Sequence, residues 1–359
     1  MIQYSIRRLL AAIPVILGVV AVAFFLARII PGDPCRAILG EKASAAACER
    51  FNEAKGLNEP LSTQFVLYVS DMARGDFGES IRFKRPITTI LLERLPLTVE
   101  LSLAAVSLAV IVGIPLGILS ATRRNSIVDV ITMIFANIGV SMPVFWLGLM
   151  LAYVFALVLK DTPFALPPTG RISPGVIPTP FYEAAGWELP ESGPIRTLLT
   201  FVSNMYILNG LLAGNWQQFT DALKHMILPA VALSTIPMAI IARMTRSSML
   251  EVLGLDYIRT AQAKGATRSR VVLKHGFRNA LLPIVTITGL QMGLVLSGAI
   301  LTETIFNLAG VGRAMYEAIT ARDFPIIQGF LIVISVGYVL INLLVDLSYA
   351  YLDPRIRLD

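Results

Sequence analysis

Long apolar segments recur along this chain of 359 residues and give the first structural expectation. A helix that crosses a membrane needs about 20 mostly apolar residues, because every backbone N–H and C=O must be paired inside the hydrocarbon core. Six segments fit this requirement, at residues 9–30, 97–121, 128–159, 226–242, 281–301 and 326–351. The hydropathy pattern therefore predicts an all-α polytopic membrane protein with six transmembrane helices.

Three segments depart from a simple six-span pattern. The third span is longer than one crossing requires, and Pro143 is expected to kink or divide it. The first span follows Arg7 and Arg8 as a signal peptide would, but residues 31–34 lack a clear small-residue cleavage site, so a retained anchor is favoured. Residues 195–212 are amphipathic and are expected to lie in the membrane interface instead of forming a seventh span.

The distribution of charge predicts the orientation in the membrane. Charged residues make up only 15% of the chain and its mean hydropathy is +0.70, as expected for a membrane protein. An even number of spans puts both termini on the same side. Arginines flank the spans on that side, as the positive-inside rule requires, at Arg7, Arg8, Arg123, Arg124, Arg355 and Arg357. Both termini are therefore predicted to be cytoplasmic.

This orientation divides the chain into two regions. Residues 1–95 are predicted to form an N-terminal transmembrane helix and an extracytoplasmic region. Residues 96–352 are predicted to form a transmembrane domain with five helices, a long outer loop at 160–225 and a cytoplasmic segment at 248–280. Eight prolines between Pro163 and Pro194 exclude a long regular helix from that part of the outer loop.

The common motifs for catalysis are missing from the sequence. No phosphate loop of the form GxxxxGK[ST], no HExxH zinc motif and no GxSxG nucleophile motif occurs. His225 and His275 fall on opposite sides of the predicted membrane, so they cannot share a site. Cys35 and Cys48 lie in the outer region, where a disulfide and two free thiols are both open alternatives. We predict no catalytic residue, no metal site, no cofactor and no nucleic-acid partner.

Four carboxylates near the predicted span ends bear on the question of ion-driven transport. They are Glu100, Asp129, Glu303 and Asp346. A carrier driven by an ion gradient needs ionisable groups deep inside its spans. Carboxylates near span ends are more often at the interface or paired with a neighbour, and that interpretation is favoured.

A basic cytoplasmic segment separates the fourth and fifth spans. Residues 243–278 contain eight Lys or Arg against two carboxylates, a net charge of +6 that equals the net charge of the whole chain. A helix that is expected to restart at Thr267 or Ser269 carries three of these cations, Arg270, Lys274 and Arg278, and Arg268 is a fourth basic residue of the same coupling segment. Such a segment suits either an anionic lipid surface or a cytosolic partner protein.

A short helix with a notched face is predicted before these four cations. Asp256 is expected to cap a helix that starts at Tyr257, and Gly265 suits the left-handed residue that ends it. The small residues along one face leave room for another backbone to approach. The residues of this face are Tyr257, Thr260, Ala261, Lys264 and Gly265. A lipid anchor needs no such notch, so docking of a cytosolic partner is favoured.

Sequence motifs relate this helix to a known family. RTAQAKG at residues 259–265, followed by NALLP, resembles the EAA loop of the permease subunits of type I ABC importers, in the dipeptide and oligopeptide branch. The general pattern begins Glu-Ala-Ala, whereas this chain has no Glu there. The resemblance implies that this helix docks an ATPase, through Asp256, Tyr257, Arg259, Thr260, Ala261, Lys264 and Gly265.

Further motifs of that branch follow in order along nearly the whole chain. They are RRLLAAIPVILGV, ARIIPGDP, GDFGES, RLPLTVEL, SMPVFWLG, LKHMILPAVALS, LTETIF, AGVGR and YLDPRIR. Residues 308–310 read Leu-Ala-Gly where relatives often have Trp-Pro-Gly, and the Pro-rich outer loop is longer than is typical. The ordered set is far more specific than any single motif.

The resemblance implies a type I permease fold and an importer of di- or oligopeptides, with nickel or an oligosaccharide as alternative cargoes. The implied partners are a second related permease, two cytosolic ATPases, an extracytoplasmic solute-binding protein and the lipid bilayer of a prokaryotic inner membrane. Four polar residues are candidates for lining the pathway, with helix–helix hydrogen bonding as the alternative: Asn137, Ser141, Gln291 and Ser297. Trp187 and Trp216 either contact the binding protein or anchor the interface.

Overall fold

The computed structural model describes residues 2–29, 35, 43–54, 56–190 and 193–352. Helices make up nearly all of the regular structure of these residues, and one isolated β-bridge joins Glu79 to Pro86. The motif at residues 30–34 lies outside the described residues, and so do Arg355 and Arg357, which were predicted to be cytoplasmic. The predicted all-α fold class is confirmed.

The helices are numbered here in chain order. The N-terminal region contains α1 (Ile2–Ile29), α2 (Ala45–Ala54) and α3 (Leu61–Ala73). Next come α4 (Ile87–Thr122), α5 (Ile127–Ser141) and α6 (Val144–Ala152), the last continued by the π-helical turn Tyr153–Val158. The outer loop contains α7 (Phe181–Ala184), α8 (Pro194–Ser203) and α9 (Tyr206–Leu212).

The C-terminal half contains six further helices. They are α10 (Trp216–Leu253), α11 (Asp256–Ala263), α12, α13 (Ile300–Ile305), α14 (Val311–Ala321) and α15 (Phe324–Leu352). The helix α12 is continuous through three parts, Arg268–Arg270, the π-helical Val271–Phe277 and Arg278–Gly298.

The described helices fit six membrane crossings. Five of them, α1, α4, α10, α12 and α15, are each long and apolar enough to cross a membrane, and α5 with α6 forms a bent pair. The bend is 99° and falls at Met142 and Pro143, which both have ψ angles near 130° and therefore leave the helical conformation. A proline disfavours the helical conformation in the residue before it, so the predicted break in the third span is confirmed.

The helices α4 and α10 are longer than the spans predicted for them. Their 36 and 38 residues correspond to about 54 and 57 Å, whereas the hydrocarbon core is about 30 Å thick. Hydropathy marks only the part of a helix that needs an apolar surface, so it missed the ends that continue beyond the membrane. These extensions lead to the predicted outer loop on one side and to the predicted docking segment on the other.

Glycines let α4 and α10 pack with their backbones almost in contact. A Cβ atom at Gly113 would lie 2.8 Å from the carbonyl oxygen of Met238, and one at Gly117 would lie 2.6 Å from that of Ala242. Two small residues four positions apart are a common way for membrane helices to approach closely. The two long helices therefore form the central pair of the bundle.

The C-terminal helix α15 connects α1 to the rest of the bundle. Gly289 and Gly293 of α12 face α15 so closely that a Cβ atom at either position would overlap its side chains. The same helix contacts α1, where Asp346 pairs with Arg8 at 3.3 Å. After α1, in the region predicted to be extracytoplasmic, Cys35 and Cys48 form a disulfide, so of the two alternatives for these cysteines the structure shows the paired one.

The long loop at residues 160–225, which is predicted to lie outside, folds over the N-terminal halves of α4 and α10. Arg171 pairs with the buried Glu100 of α4 at 3.3 Å, and its guanidinium lies 3.8 Å from the ring centre of Tyr206. Glu100 also accepts a hydrogen bond of 2.7 Å from the backbone N–H of Ile207. Since α8 and α9 have only 10 and 7 residues, neither can cross a membrane. Among the described residues no seventh span is found, as predicted.

Candidate functional site

The predicted docking helix is α11, which follows directly after the end of α10. Its first residue is Asp256, so the prediction that Asp256 is the N-cap is wrong by one position. Leu255 is the N-cap because its backbone is extended, with φ −76° and ψ 149°, and Asp256 already belongs to the first turn. At the other end Gly265 has a φ of +79°, so the predicted left-handed stop is confirmed.

Most of α11 faces away from the rest of the chain. Ile258 is its one buried residue, with 1% of its surface exposed, and holds the helix on the bundle. Of the residues predicted to dock, Ala261 is half-buried and six are exposed: Asp256, Tyr257, Arg259, Thr260, Lys264 and Gly265. A Cβ atom at Gly265 would have no neighbour within 4 Å. The notched face is therefore open to a partner.

A small hydrogen-bond network ties α11 to the membrane helix α12. The hydroxyl of Tyr257 donates to the carbonyl oxygen of His275 at 3.1 Å and accepts from Nδ2 of Asn279 at 2.8 Å. Nδ2 of Asn279 also donates to the same carbonyl oxygen, at 2.9 Å. His275 belongs to the π-helical part of α12, and π-helical turns often mark functional sites. Sequence analysis missed Asn279, although it begins the NALLP motif.

The start of α12 also reaches the end of α4. Arg268 donates from Nη2 to the carbonyl oxygen of Thr122 at 3.2 Å, where the last carbonyls of α4 favour a positive charge. The other predicted cations of this segment, Arg270, Lys274 and Arg278, are exposed. Three helices, α4, α11 and α12, are thus linked on the side that is predicted to be cytoplasmic.

A buried ion pair holds the turn between α4 and α5 against α10. Asp129 accepts from Nε and Nη2 of Arg246, both at 2.8 Å, and from the hydroxyl of Ser120. It also accepts from the backbone N–H of Asn125 at 3.0 Å, so its carboxylate has four donors. No short-range sequence signal could have identified this pair, because 117 positions separate the two residues.

The four carboxylates that bear on ion-driven transport all have partners. Glu100 pairs with Arg171, Asp129 with Arg246, and Asp346 with Arg8. Glu303 accepts from the hydroxyl of Thr98 at 2.6 Å and from the backbone N–H of Arg313 at 2.9 Å. Burial raises the pKa of Glu303 to about 7, and these hydrogen bonds oppose the rise. The favoured interpretation, pairing with a neighbour, is confirmed at all four positions.

The four candidates for lining the pathway differ in their surroundings. Asn137 and Ser141 of α5 and Ser297 of α12 are exposed, whereas Gln291 is buried, with 5% of its surface exposed. The hydroxyls of Ser141 and Ser297 donate to carbonyl oxygens of their own helices. Asn137 instead bonds across helices, since its Oδ1 accepts from Nη1 of Arg243 at 2.7 Å. A pathway-lining role for the four residues stays a prediction.

Substitutions at Gly265 test whether the end of α11 requires a residue in the left-handed conformation. Gly265→Asn is expected to preserve the end of α11, because Asn tolerates a positive φ, whereas Gly265→Val is expected to destabilise it by about 1–2 kcal/mol. Hydrogen exchange of the backbone amides of residues 256–266 in purified protein measures the effect. Equal exchange rates in the two variants would contradict a requirement for the left-handed conformation.

Comparisons with known proteins agree with these motifs. A family model described as "Binding-protein-dependent transport system inner membrane component" matches residues 113–358, and a model of the N-terminal part of such components matches residues 1–104. The chain is 45% identical over 357 residues to the "Dipeptide transport system permease protein DppB" of Alkalihalophilus pseudofirmus, covering 99% of this chain and all of that protein.

Two further relatives are similar over their whole length. The protein of the same name from Escherichia coli strain K12 is 41% identical over 358 residues, and the "Di/tripeptide transport system permease protein DppB" of Pseudomonas aeruginosa is 40% identical over 362. Each comparison covers 99% of both chains. The resemblance to ABC importer permeases is thereby confirmed, and the chain belongs to the inner membrane components of binding-protein-dependent transport systems.

Proposed function

We propose that this chain is one of the two permease subunits of an ATP-driven importer of di- and oligopeptides. The names of its relatives support this cargo, because all three are dipeptide or di/tripeptide permeases. The partners are a second related permease, two cytosolic ATPases and an extracytoplasmic solute-binding protein. The complex lies in the cell membrane of a prokaryote, with both termini of this chain in the cytoplasm.

The observation that carries the coupling role is the exposed face of α11. One buried side chain holds this helix on the bundle, and most of its other residues are exposed and available to the ATPase. Tyr257 and Asn279 bind α11 to α12, and Arg268 binds α12 to the end of α4. A displacement of α11 by the ATPases would therefore move two membrane-crossing helices. The bundle would alternate between inward- and outward-facing states, which nucleotide and the loaded binding protein bias.

Two other functions receive less support. An ion-gradient-driven carrier needs ionisable groups free to exchange ions within the membrane, but the four carboxylates considered for this task are all engaged. A lipid anchor would account for the exposed cations of α12. It does not account for the open notch of α11 or for the network that joins α11 to α12.

Reconstitution of the complete complex in proteoliposomes tests the proposal. We expect uptake of a labelled dipeptide that requires both the binding protein and ATP on the side of the ATPases. Uptake by this chain alone under a proton or sodium gradient would overturn it. ATP-dependent uptake of nickel or an oligosaccharide, without uptake of peptides, would correct the cargo and leave the coupling role intact.

A further inference from the structure

A cavity lies beside α11, where the ends of three other helices meet. Its volume is about 300 Å³, at the lower end of the range for ligand-binding pockets, and it is open to the surface. Ala121 comes from α4, Leu253 from α10, and Val271 and Val272 from α12. Gln262 makes α11 itself a part of the wall. The cavity therefore adjoins the helix that is proposed to dock the ATPases.

The floor of the cavity is apolar and continues into a buried cluster. Ala121, with 4% of its surface exposed, lies in this cluster together with Met249 of α10 and Ala280 of α12. Leu253 and Val272 line the cavity and pack against the same cluster. An apolar group on this floor would be removed from water and would contact α4, α10 and α12 at once.

The rim of the cavity is polar and positively charged. Arg268 donates from Nη2 to the carbonyl oxygen of Thr122 at 3.2 Å, and no carboxylate of the described residues pairs with it. Arg123 and Arg124, which follow Thr122, are exposed. A guanidinium presents paired N–H donors that match the two oxygens of a carboxylate. The rim therefore favours a partner that carries a carboxylate.

The position of the cavity indicates which partner would fill it. Gln262 and Ala266 line the cavity, and they directly follow Ala261 and Gly265, two residues of the notched face. A protein seated on the notched face would therefore also reach the mouth of the cavity. In many protein interfaces a few large side chains that fill pockets contribute most of the binding energy.

We propose that an ATPase subunit inserts an apolar side chain into this cavity and places a carboxylate next to Arg268. This inference rests on the proposed docking to α11 and adds a second contact to it. The inserted side chain would bind α4, α10 and α12 directly, so a movement of the ATPase would reach these helices without passing through α11. The alternative occupant is a lipid molecule, which predicts that the cavity contributes nothing to ATPase binding.

A thiol label that fills the cavity after folding tests the insertion. The chain has two cysteines, which form the disulfide, so Ala266→Cys adds the only free thiol of this chain. The assembled permease pair is labelled with a methyl or a benzyl methanethiosulfonate, and its affinity for the co-encoded ATPases is measured by titration. We expect the benzyl label to lower this affinity about 10-fold and the methyl label to leave it near the wild-type value. Wild type treated with the benzyl reagent is the control.

A matched pair of substitutions tests the charge on the rim. Arg268→Gln keeps a donor for the carbonyl oxygen of Thr122 but removes the charge, whereas Arg270→Gln removes an exposed cation that does not line the cavity. We expect Arg268→Gln to weaken ATPase binding about 3-fold and to reduce its dependence on salt, because ions screen an ion pair near the surface. Arg270→Gln should change neither property.

The outcomes separate this inference from the proposed function. Equal ATPase affinities of the methyl- and benzyl-labelled Ala266→Cys pairs would overturn the insertion, and equal salt dependence of Arg268→Gln and Arg270→Gln would overturn the carboxylate. Loss of binding in Thr260→Trp, on the notched face, without an effect of the benzyl label would keep the docking on α11 and exclude the cavity. If the ATPases fail to bind the wild-type permease pair, the proposed function itself fails.

Discussion

Thr260→Trp is expected to reduce ATP-dependent transport at least about 10-fold without lowering the amount of permease in the membrane. Thr260 is exposed on α11, and its hydroxyl bonds only to the carbonyl oxygen of Asp256 in the same helix, at 3.1 Å. The substitution therefore disturbs no contact between α11 and the rest of this chain. An indole on the notched face would prevent close approach of a partner, and overpacking typically costs about 1–3 kcal/mol.

Thr197→Trp is a matched control for this substitution. Thr197 is also exposed on a short helix, and its hydroxyl donates to a carbonyl oxygen four positions earlier, again at 3.1 Å. It lies on α8, in the predicted outer loop. Copurification of the ATPases with tagged permease gives the direct readout. We expect the ATPases to be lost from Thr260→Trp and retained by Thr197→Trp. Normal ATPase recovery and normal transport in Thr260→Trp would exclude this face of α11 as the docking surface.

Gly117→Leu is expected to lower the amount of folded permease in the membrane at least about 5-fold. A Cβ atom at this position would lie 2.5 Å from Cβ of Thr245 and 2.6 Å from the carbonyl oxygen of Ala242. Both atoms belong to α10, so a side chain can be accommodated only if the central helix pair separates. Membrane helices associate largely through such close packing, because burial from lipid adds little hydrophobic driving force.

The control for this prediction is Gly18→Leu on α1. Gly18 is exposed, and a Cβ atom there would meet nothing within 4 Å. Leu is also a better helix former than Gly, so this variant should accumulate to at least the wild-type amount. Membrane abundance and the melting temperature of the purified protein are measured for both. If Gly117→Leu matched the control in both measurements, the close packing of α4 on α10 would be wrong.

Much of the fold follows from local properties of the sequence. The six apolar segments appear in order because a crossing helix must be apolar along its own length. The break at Pro143 and the left-handed stop at Gly265 also depend on single residues and their own backbone constraints. The predicted ends of the helices were less accurate. The helix α10 continues to Leu253, well beyond the predicted end of the span at residue 242, because a helix needs an apolar surface only inside the membrane.

The helix predicted to dock a partner could be located in advance because its motif is contiguous, but its connections to the other helices could not. Tyr257 was predicted to belong to the notched face, and the structure adds that its hydroxyl binds α12. That contact depends on a π-helical turn, which hydropathy does not reveal. The sequence also did not reveal the exact N-cap of α11. The extended backbone at Leu255 makes this residue the N-cap, so the helix starts one residue earlier than predicted.

By itself, the sequence determined which segments are apolar enough to cross the membrane, where the predicted docking helix stops and to which family the chain belongs. Each of these depends on residues that are close together in the chain. The tertiary structure alone decided which charges are paired. Asp129 pairs with Arg246 across 117 positions, and Asn137 accepts a hydrogen bond from Arg243 across 106. Which of the two arginines has a carboxylate partner is therefore decided only when α5 packs against α10. The physical reason is that a side-chain pair depends on the packing of distant helices, which no local pattern encodes.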